Sequence, residues 1–384
     1  MKADCGYGGG NVNGCGKQKL SAYGGLAGAQ SAEQKRYFDE NRIYALQIES
    51  TDACDQGCIY CYAGSTPQEQ HGLTSDEIRG LLADAAALDI RAIDWLGGDP
   101  LLRRDWYELM VEARSLGLIN NVWTSGLPLA DEVVARRVVE VTAEGFVSVH
   151  VDSLTPEVYA QLHYGGCAEN IATITAGVDR LLSLGKPADR MINCITYTAR
   201  QGPEDAAATM RWWFEERGLR TCLTMFNPSG MGADWRSLEP GLEETRRVYE
   251  ERDRLCYDPG TTIGAMDTDK YYCGTLVTVT YTGEVTPCSV IREGVDNIRR
   301  TPLREIIAEH RETLVHAALH DTRSLPAPCN LCAHNDHCWG CRSSAYNYSG
   351  DVEGLDPKCW LIAANWARMG RSEGDRGVGE ACIG

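Results

Sequence analysis

The sequence predicts an α/β protein, a partial (β/α)6 TIM-like barrel with a cysteine-rich C-terminal domain. Two observations carry this. From residue 44 short apolar runs alternate with amphipathic segments of helical period, and beyond about residue 265 cysteines and turn residues replace that alternation.

Residues 1–43 open Gly-rich (Gly6, Gly8 to Gly10, Gly14, Gly16) and continue polar without clear periodicity, so they read as an irregular N-terminal extension. Strands are expected to begin near Ala45, Arg91, Ile119, Phe146, Met191 and Thr221. The clearest helix is Thr74 to Leu88, where Thr74 and Glu77 form a capping-box signature and Ile78, Leu81, Leu82 and Ala85 make one apolar face. A second runs from Asn170 to Leu184, with Ile171, Ile174, Val178, Leu181 and Leu182 on its apolar side. Six βα units make an open parallel barrel, whose chemistry sits at the C-terminal ends of the strands. After Phe226 the run Asn227-Pro-Ser-Gly-Met-Gly232 breaks the pattern, and a charged helix from about Leu242 to Leu255 reads as a bridge. The expected division is therefore 1–43 extension, 44–235 barrel, 236–262 bridging helix and linker, and 263–384 cysteine-rich domain. Metal binding supplies folding free energy to a domain of that last kind.

With 384 residues, 43% of them hydrophobic, the chain can bury one large core or two smaller ones. A net charge of -17 with no run of basic residues speaks against a nucleic-acid substrate. The apolar stretches fall short of the roughly 20 residues that span a bilayer, so no membrane partner is expected. Residues 1–30 lack the apolar core of a secretory signal, which places the protein in the cytoplasm as an expectation. Seventeen cysteines in a reducing compartment favour metal or cluster ligation over disulfides. Ten are grouped, at 54/58/61, 273/288, 329/332/338/341 and 359, while Cys5, Cys15, Cys167, Cys194, Cys222, Cys256 and Cys382 stand alone.

The first strand, with Ala45, Leu46 and Ile48, runs into a C-x3-C-x2-C loop formed by Cys54, Cys58 and Cys61. A [4Fe-4S] cluster usually takes four cysteines, so a three-cysteine loop leaves one iron free to bind a substrate or cofactor. Three thiolates with a fourth ligand would also suit tetrahedral zinc.

This spacing, with Tyr60 just before the third cysteine, resembles the radical S-adenosylmethionine (radical SAM) superfamily. The resemblance implies that Cys54, Cys58 and Cys61 hold a catalytic [4Fe-4S] cluster whose free iron chelates S-adenosylmethionine. One electron then cleaves the cofactor to a 5'-deoxyadenosyl radical that abstracts a substrate hydrogen. Gly97-Gly98-Asp99-Pro100 resembles the family's Gly-Gly-Glu-Pro motif, with Asp99 one methylene shorter than the usual Glu. Thr124-Ser125-Gly126 stands where the family often has Thr-Asn-Gly, and His150-Val151-Asp152 where it often has Ser-x-Asp. Cofactor contacts are thus expected from Tyr60, Gly97, Gly98, Asp99, Ser125, His150, Asp152 and, on the fifth strand, Asn193. The alternative for Asp99 is a turn residue before Pro100, and for His150 a satisfied strand-end histidine.

The C-terminal cysteines resemble the SPASM domain, which carries auxiliary clusters in radical SAM peptide and protein maturases and some natural-product enzymes. By that resemblance Cys329, Cys332, Cys338 and Cys359 would bind an outer cluster, and Cys273, Cys288 and Cys341 an inner one; a pair of zinc sites is the alternative. The inner set is one cysteine short. Sulfatase maturases have a cysteine where this chain has Asp267, and an Asp where it has Ser289, which counts against that particular activity. The open position would be filled by Asp267, Asp269 or Cys256, or left exchangeable. The implied function is hydrogen abstraction followed by oxidation or cross-linking of a peptide or small natural product, with a flavodoxin- or ferredoxin-type reductant. The segment before the barrel is short for the leader-binding domain many relatives carry. Two other readings stay open: a redox-neutral epimerase using Cys167, Cys194, Cys222 or Cys256 as hydrogen donor, and a non-enzymatic electron-transfer or zinc-structural protein.

Overall fold

In the computed structural model the chain is described over residues 27–68, 71–164, 168–256 and 269–362. Six parallel strands, β1 (Ala45–Glu49), β2 (Ala92–Leu96), β3 (Ile119–Trp123), β4 (Val147–His150), β5 (Met191–Tyr197) and β6 (Arg220–Met225), lie side by side in chain order. Each begins within one residue of its expected start. β1 and β2 are buried along their whole length, as strands covered on both faces must be.

The helix Ser75–Ala87 is closed by the capping box read from sequence: Thr74 Oγ1 accepts from the Glu77 amide at 3.2 Å, and Glu77 Oε2 accepts from the Thr74 amide at 2.7 Å. Its buried face is Ile78, Leu81, Leu82 and Ala85, and the helix Ala168–Ser183 buries Ile171, Ile174, Val178 and Leu181. These faces pack on the outer side of the strands and form the main core with Ile93, Trp95, Val122 and Val149. Inside the barrel a polar floor forms instead. The buried Asp94 accepts from Asn121 Nδ2 at 2.7 Å and Tyr272 Oη at 3.1 Å, while Thr278 Oγ1 donates to Gln47 at 2.8 Å.

The structure departs from the sequence expectation in three places. Ala27–Asp39 is helical where irregular chain is expected, and its last turn buries Tyr37 and Phe38, with Phe38 stacked on His320 at 3.7 Å between ring centres. Its polar run shows no helical stripe, so tertiary contacts at its end hold it; the Gly-rich residues 1–26 lie outside the described residues. The helix Leu242–Cys256 is no free bridge: Val248 and Tyr249 pack with Ile195, Tyr197 and Leu223 and so cover β5 and β6. Nor does the sheet stop at the barrel. β7 (Leu276–Val279) pairs in parallel with β1, and β8 (Glu284–Thr286) and β9 (Asp296–Asn297) extend it antiparallel, so the cysteine-rich segment shares the barrel's sheet. Pairing with β7 satisfies what would otherwise be an open edge of β1.

Candidate active site

The chain leaving β1 makes a wide loop held by isolated bridges, Thr51 to Gly72, Ala53 to Thr66 and Cys58 to His163. It also lies directly on the end of β2. The Gly98 amide donates to Thr51 O at 2.7 Å and the Asp99 amide to Ala53 O at 2.6 Å. A side chain at Gly98 would put its Cβ 2.0 Å from Ala53 O, and Gly97 has φ +126°, so this contact requires two glycines. On the far side, Met231 donates its amide to Cys61 O at 2.9 Å, and a Cβ on Gly230 would meet Tyr62 O at 2.2 Å. The run Asn227–Gly232, which breaks the strand pattern, is therefore the second wall of the cysteine loop.

Beside this loop lies a cavity of about 380 Å³ at the C-terminal ends of the strands, lined by Cys54, Cys58 and Cys61 and also by Cys273, Cys288 and Cys341. Residues more than 200 apart in sequence thus face one space. Among the described residues its wall carries no Asp, Glu, Lys or Arg; Trp123, Tyr249, Tyr272, Leu223 and Leu276 supply its apolar surface. Burial pushes the Cys58 and Cys288 thiols up to about 11, so bare thiols here stay protonated at neutral pH and a metal must displace the protons to bind.

The other four C-terminal cysteines form a separate group away from this cavity. Burial first, and then neighbouring negative groups, pushes Cys329, Cys338 and Cys359 up to about 12: Cys329 feels Cys359 and Cys332, Cys338 feels Cys329 and Cys332, and Cys359 feels Asp356 ahead of Cys338 and Cys332. Asp356 adds to the negative field at all three. Of the candidates for the open inner position, Asp269 caps a short helix by accepting from the Tyr272 amide at 2.9 Å. Cys256 sits near Arg252 and Arg220 and does not line the cavity. Asp267 lies outside the described residues, as do Cys5, Cys15, Cys167 and Cys382.

Residues 48–212 match the family model of the radical SAM superfamily. That segment is a radical SAM domain. It is 28% identical over 354 residues to the PqqA peptide cyclase of Streptomyces rochei, covering 82% of this chain and 89% of the relative. It is 25% identical over 343 residues to the AdoMet-dependent heme synthase of Methanosarcina barkeri, covering 81% and 94%. Among solved structures it is similar to Streptococcus suis SuiB bound to its precursor peptide SuiA, with TM-score 0.61, 15% identity and 87% and 80% coverage. It is also similar to anSMEcpe with bound AdoMet and Kp18Cys peptide, with TM-score 0.61, 14% identity and 84% and 96% coverage.

A radical SAM domain implies S-adenosylmethionine and a [4Fe-4S] cluster, and the cavity suits them. Three thiols open on one side, and beside them the Gly97–Gly98 backbone has no side chain in the way. Of the residues expected to contact the cofactor, Tyr60, Gly97, Gly98, Ser125 and His150 line the cavity, while Asp99, Asp152 and Asn193 stand behind its wall. The Asp99 carboxylate is fully buried and accepts from Thr124 Oγ1 (2.7 Å), Ser125 N (2.9 Å), Ser125 Oγ (2.7 Å) and Leu101 N (3.0 Å). Three of these four bonds come from Thr124 and Ser125, so it braces the end of β3. Burial pushes it up to about 6, against the pull of those donors. Asn193 locks the end of β4 through both backbone groups of Val151, at 3.0 and 2.9 Å.

Asp152 anchors a chain of polar groups at the cysteine loop. Its carboxylate meets His150 Nε2 at 3.2 Å, His163 Nε2 at 3.4 Å and the Tyr60 hydroxyl. Burial alone would lower the His150 pKa, but Asp152 and then Cys58 outweigh it and hold His150 well above the ordinary histidine range. Cys58, His150 and His163 offer ligand atoms within 4.8 Å of one another. His163 has both ring nitrogens engaged, Nδ1 with Tyr159 O at 2.8 Å and Nε2 facing Asp152, which weighs against its serving as a zinc ligand. Sequence reasoning missed Trp123, Asn227, Tyr249, Tyr272 and Ser343 in the cavity wall. The pattern break at 227–232 was a signal for Asn227; the others carry none, since a single aromatic or serine within a strand or helix has no distinctive spacing.

Proposed function

We propose that Cys54, Cys58 and Cys61 hold the catalytic [4Fe-4S] cluster, and that the enzyme abstracts a hydrogen atom from a peptide and completes an oxidation or cross-link with the help of auxiliary clusters. Peptide substrates are proposed because PqqA peptide cyclase is named for one and the SuiB and anSMEcpe structures hold them. When bound, S-adenosylmethionine and the reduced cluster supply the 5'-deoxyadenosyl radical that takes the hydrogen. Cys273, Cys288 and Cys341 would hold an inner cluster that supplies an acceptor for one electron; with the hydrogen atom and one proton lost to solvent, the substrate would undergo a two-electron oxidation overall. The observation that supports this reading is the shared cavity: Cys273, Cys288 and Cys341 open onto the same space as Cys54, Cys58 and Cys61, so a cluster on the first set would face the substrate of a cluster on the second. Cys329, Cys332, Cys338 and Cys359 are assigned the outer cluster, which would pass that electron on.

The test is a variant in which Cys54, Cys58 and Cys61 are all replaced by alanine. After anaerobic reconstitution it should form no 5'-deoxyadenosine with dithionite while keeping the visible absorption of the C-terminal clusters. Undiminished cleavage would place the catalytic cluster elsewhere.

Redox-neutral epimerisation is supported by one observation, that Cys194 lines the cavity from β5 whereas Cys222 and Cys256 do not. Under that reading, reaction in deuterated water places deuterium on the product, and Cys194→Ala loses product but not S-adenosylmethionine cleavage. Deuterium-free, oxidised product from the wild type would rule it out.

A further inference from the structure

We infer that Ser343 is a positioning residue whose hydroxyl donates to the sulfurs of the inner cysteine set and holds the reduction potential of their cluster up. The inference rests on the reading that Cys273, Cys288 and Cys341 hold an iron-sulfur cluster. Ser343 is buried, lines the cavity and stands two residues after Cys341, in the first turn of the helix Arg342–Ser349. Its Oγ lies 3.1 Å from Cys341 Sγ and also hydrogen-bonds the Cys288 thiol. One hydroxyl therefore reaches two of the three ligand sulfurs.

The direction of its proton follows from its neighbours. A serine in a helix commonly donates back to the carbonyl four residues earlier. Here that carbonyl is Trp339 O, which already accepts from the Arg342 guanidinium, and Ser343 Oγ bonds the sulfurs instead. From the opposite side Asn227 Nδ2 approaches Ser343 Oγ at 3.5 Å and Ser344 Oγ at 3.4 Å. A cysteine that ligates a metal carries no proton, so at the 3.1 Å contact with Cys341 Sγ the Ser343 hydroxyl is the donor. Asn227 begins the loop whose Met231 amide holds Cys61 O, so one segment touches both the catalytic cysteine loop and the serine that faces the inner set.

A hydrogen bond to a ligand sulfur stabilises the more negative, reduced form of a cluster and so raises its potential. Removing the donor should therefore move the potential down without removing a ligand. The experiment is a redox titration of the reconstituted holoenzyme followed by electron paramagnetic resonance, with total iron measured on each preparation. Ser343→Ala should shift one cluster signal to more negative potential with iron unchanged, Ser343→Thr should restore it, and Asn227→Ala should shift the same signal by less. An unmoved potential in Ser343→Ala, an equal shift in Ser343→Thr, or loss of that cluster's iron in Ser343→Ala would each overturn the inference. A wild-type protein lacking the inner cluster's signal would overturn the underlying reading as well.

Discussion

At Gly98 the site depends on a single missing atom. The cysteine loop and the end of β2 are joined there backbone to backbone, and an added methyl would stand 2.0 Å from Ala53 O. Neither partner is a flexible side chain that could swing away. Gly98→Ala should therefore cost about 3 kcal/mol or more, at the high end of overpacking substitutions. The loss should fall first on the catalytic loop, so S-adenosylmethionine cleavage should drop while the C-terminal clusters' absorption persists; undiminished cleavage by the Gly98→Ala variant would mean the loop is free to shift. The glycine pair and the ten grouped cysteines stand out in sequence because small size, residue type and spacing leave a signature. The positions of Asp99, Asp152 and Asn193 behind the cavity wall do not. Whether a residue at a strand's end faces the barrel mouth or the wall behind depends on where the strand's pleat ends, and all three turn to bonds with the backbone or side chains of adjoining strands.

On the scale of elements, Lys186 links two that are distant in sequence. Its buried ammonium donates to Thr142 O, Thr142 Oγ1 and Gly145 O, closing the C-terminal end of the helix Glu132–Val141 where a positive charge is favoured. Burial, and secondarily Arg190, lowers its pKa to about 7. The unfolded chain then binds this proton more tightly than the folded one between about pH 7 and pH 10, so stability rises with pH across that window. Compared with Lys186→Met, the wild type should gain up to about 1.4 kcal/mol per pH unit there, read from urea unfolding across that range. A difference independent of pH would mean that Lys186 stays charged in the fold. Strands β1 to β6 were legible to within a residue because each is a short apolar run between clear helical patterns. β7 was not, since its place is set by pairing with β1, some 230 residues earlier, and no local pattern encodes a partner that remote.

The whole molecule is tied across that same junction. Glu49, fully buried at the end of β1, receives both Nη atoms of Arg292 from the cysteine-rich segment, at 2.5 and 3.0 Å. Burial raises the Glu49 pKa, and Arg292 opposes that rise. Arg292→Met would leave an unpaired carboxylate inside, at a cost of about 3 to 5 kcal/mol. Adding Glu49→Gln should recover part of it in chemical denaturation; no recovery would mean that Arg292 acts through packing alone. Such a tie keeps the inner cysteines facing the catalytic loop across one cavity, on which the proposed chemistry depends. The most direct check is the iron and zinc content of anaerobically reconstituted protein. Three [4Fe-4S] clusters require about 12 iron atoms per chain, fewer if one is [2Fe-2S], and brown protein without zinc; colourless protein with stoichiometric zinc would contradict it.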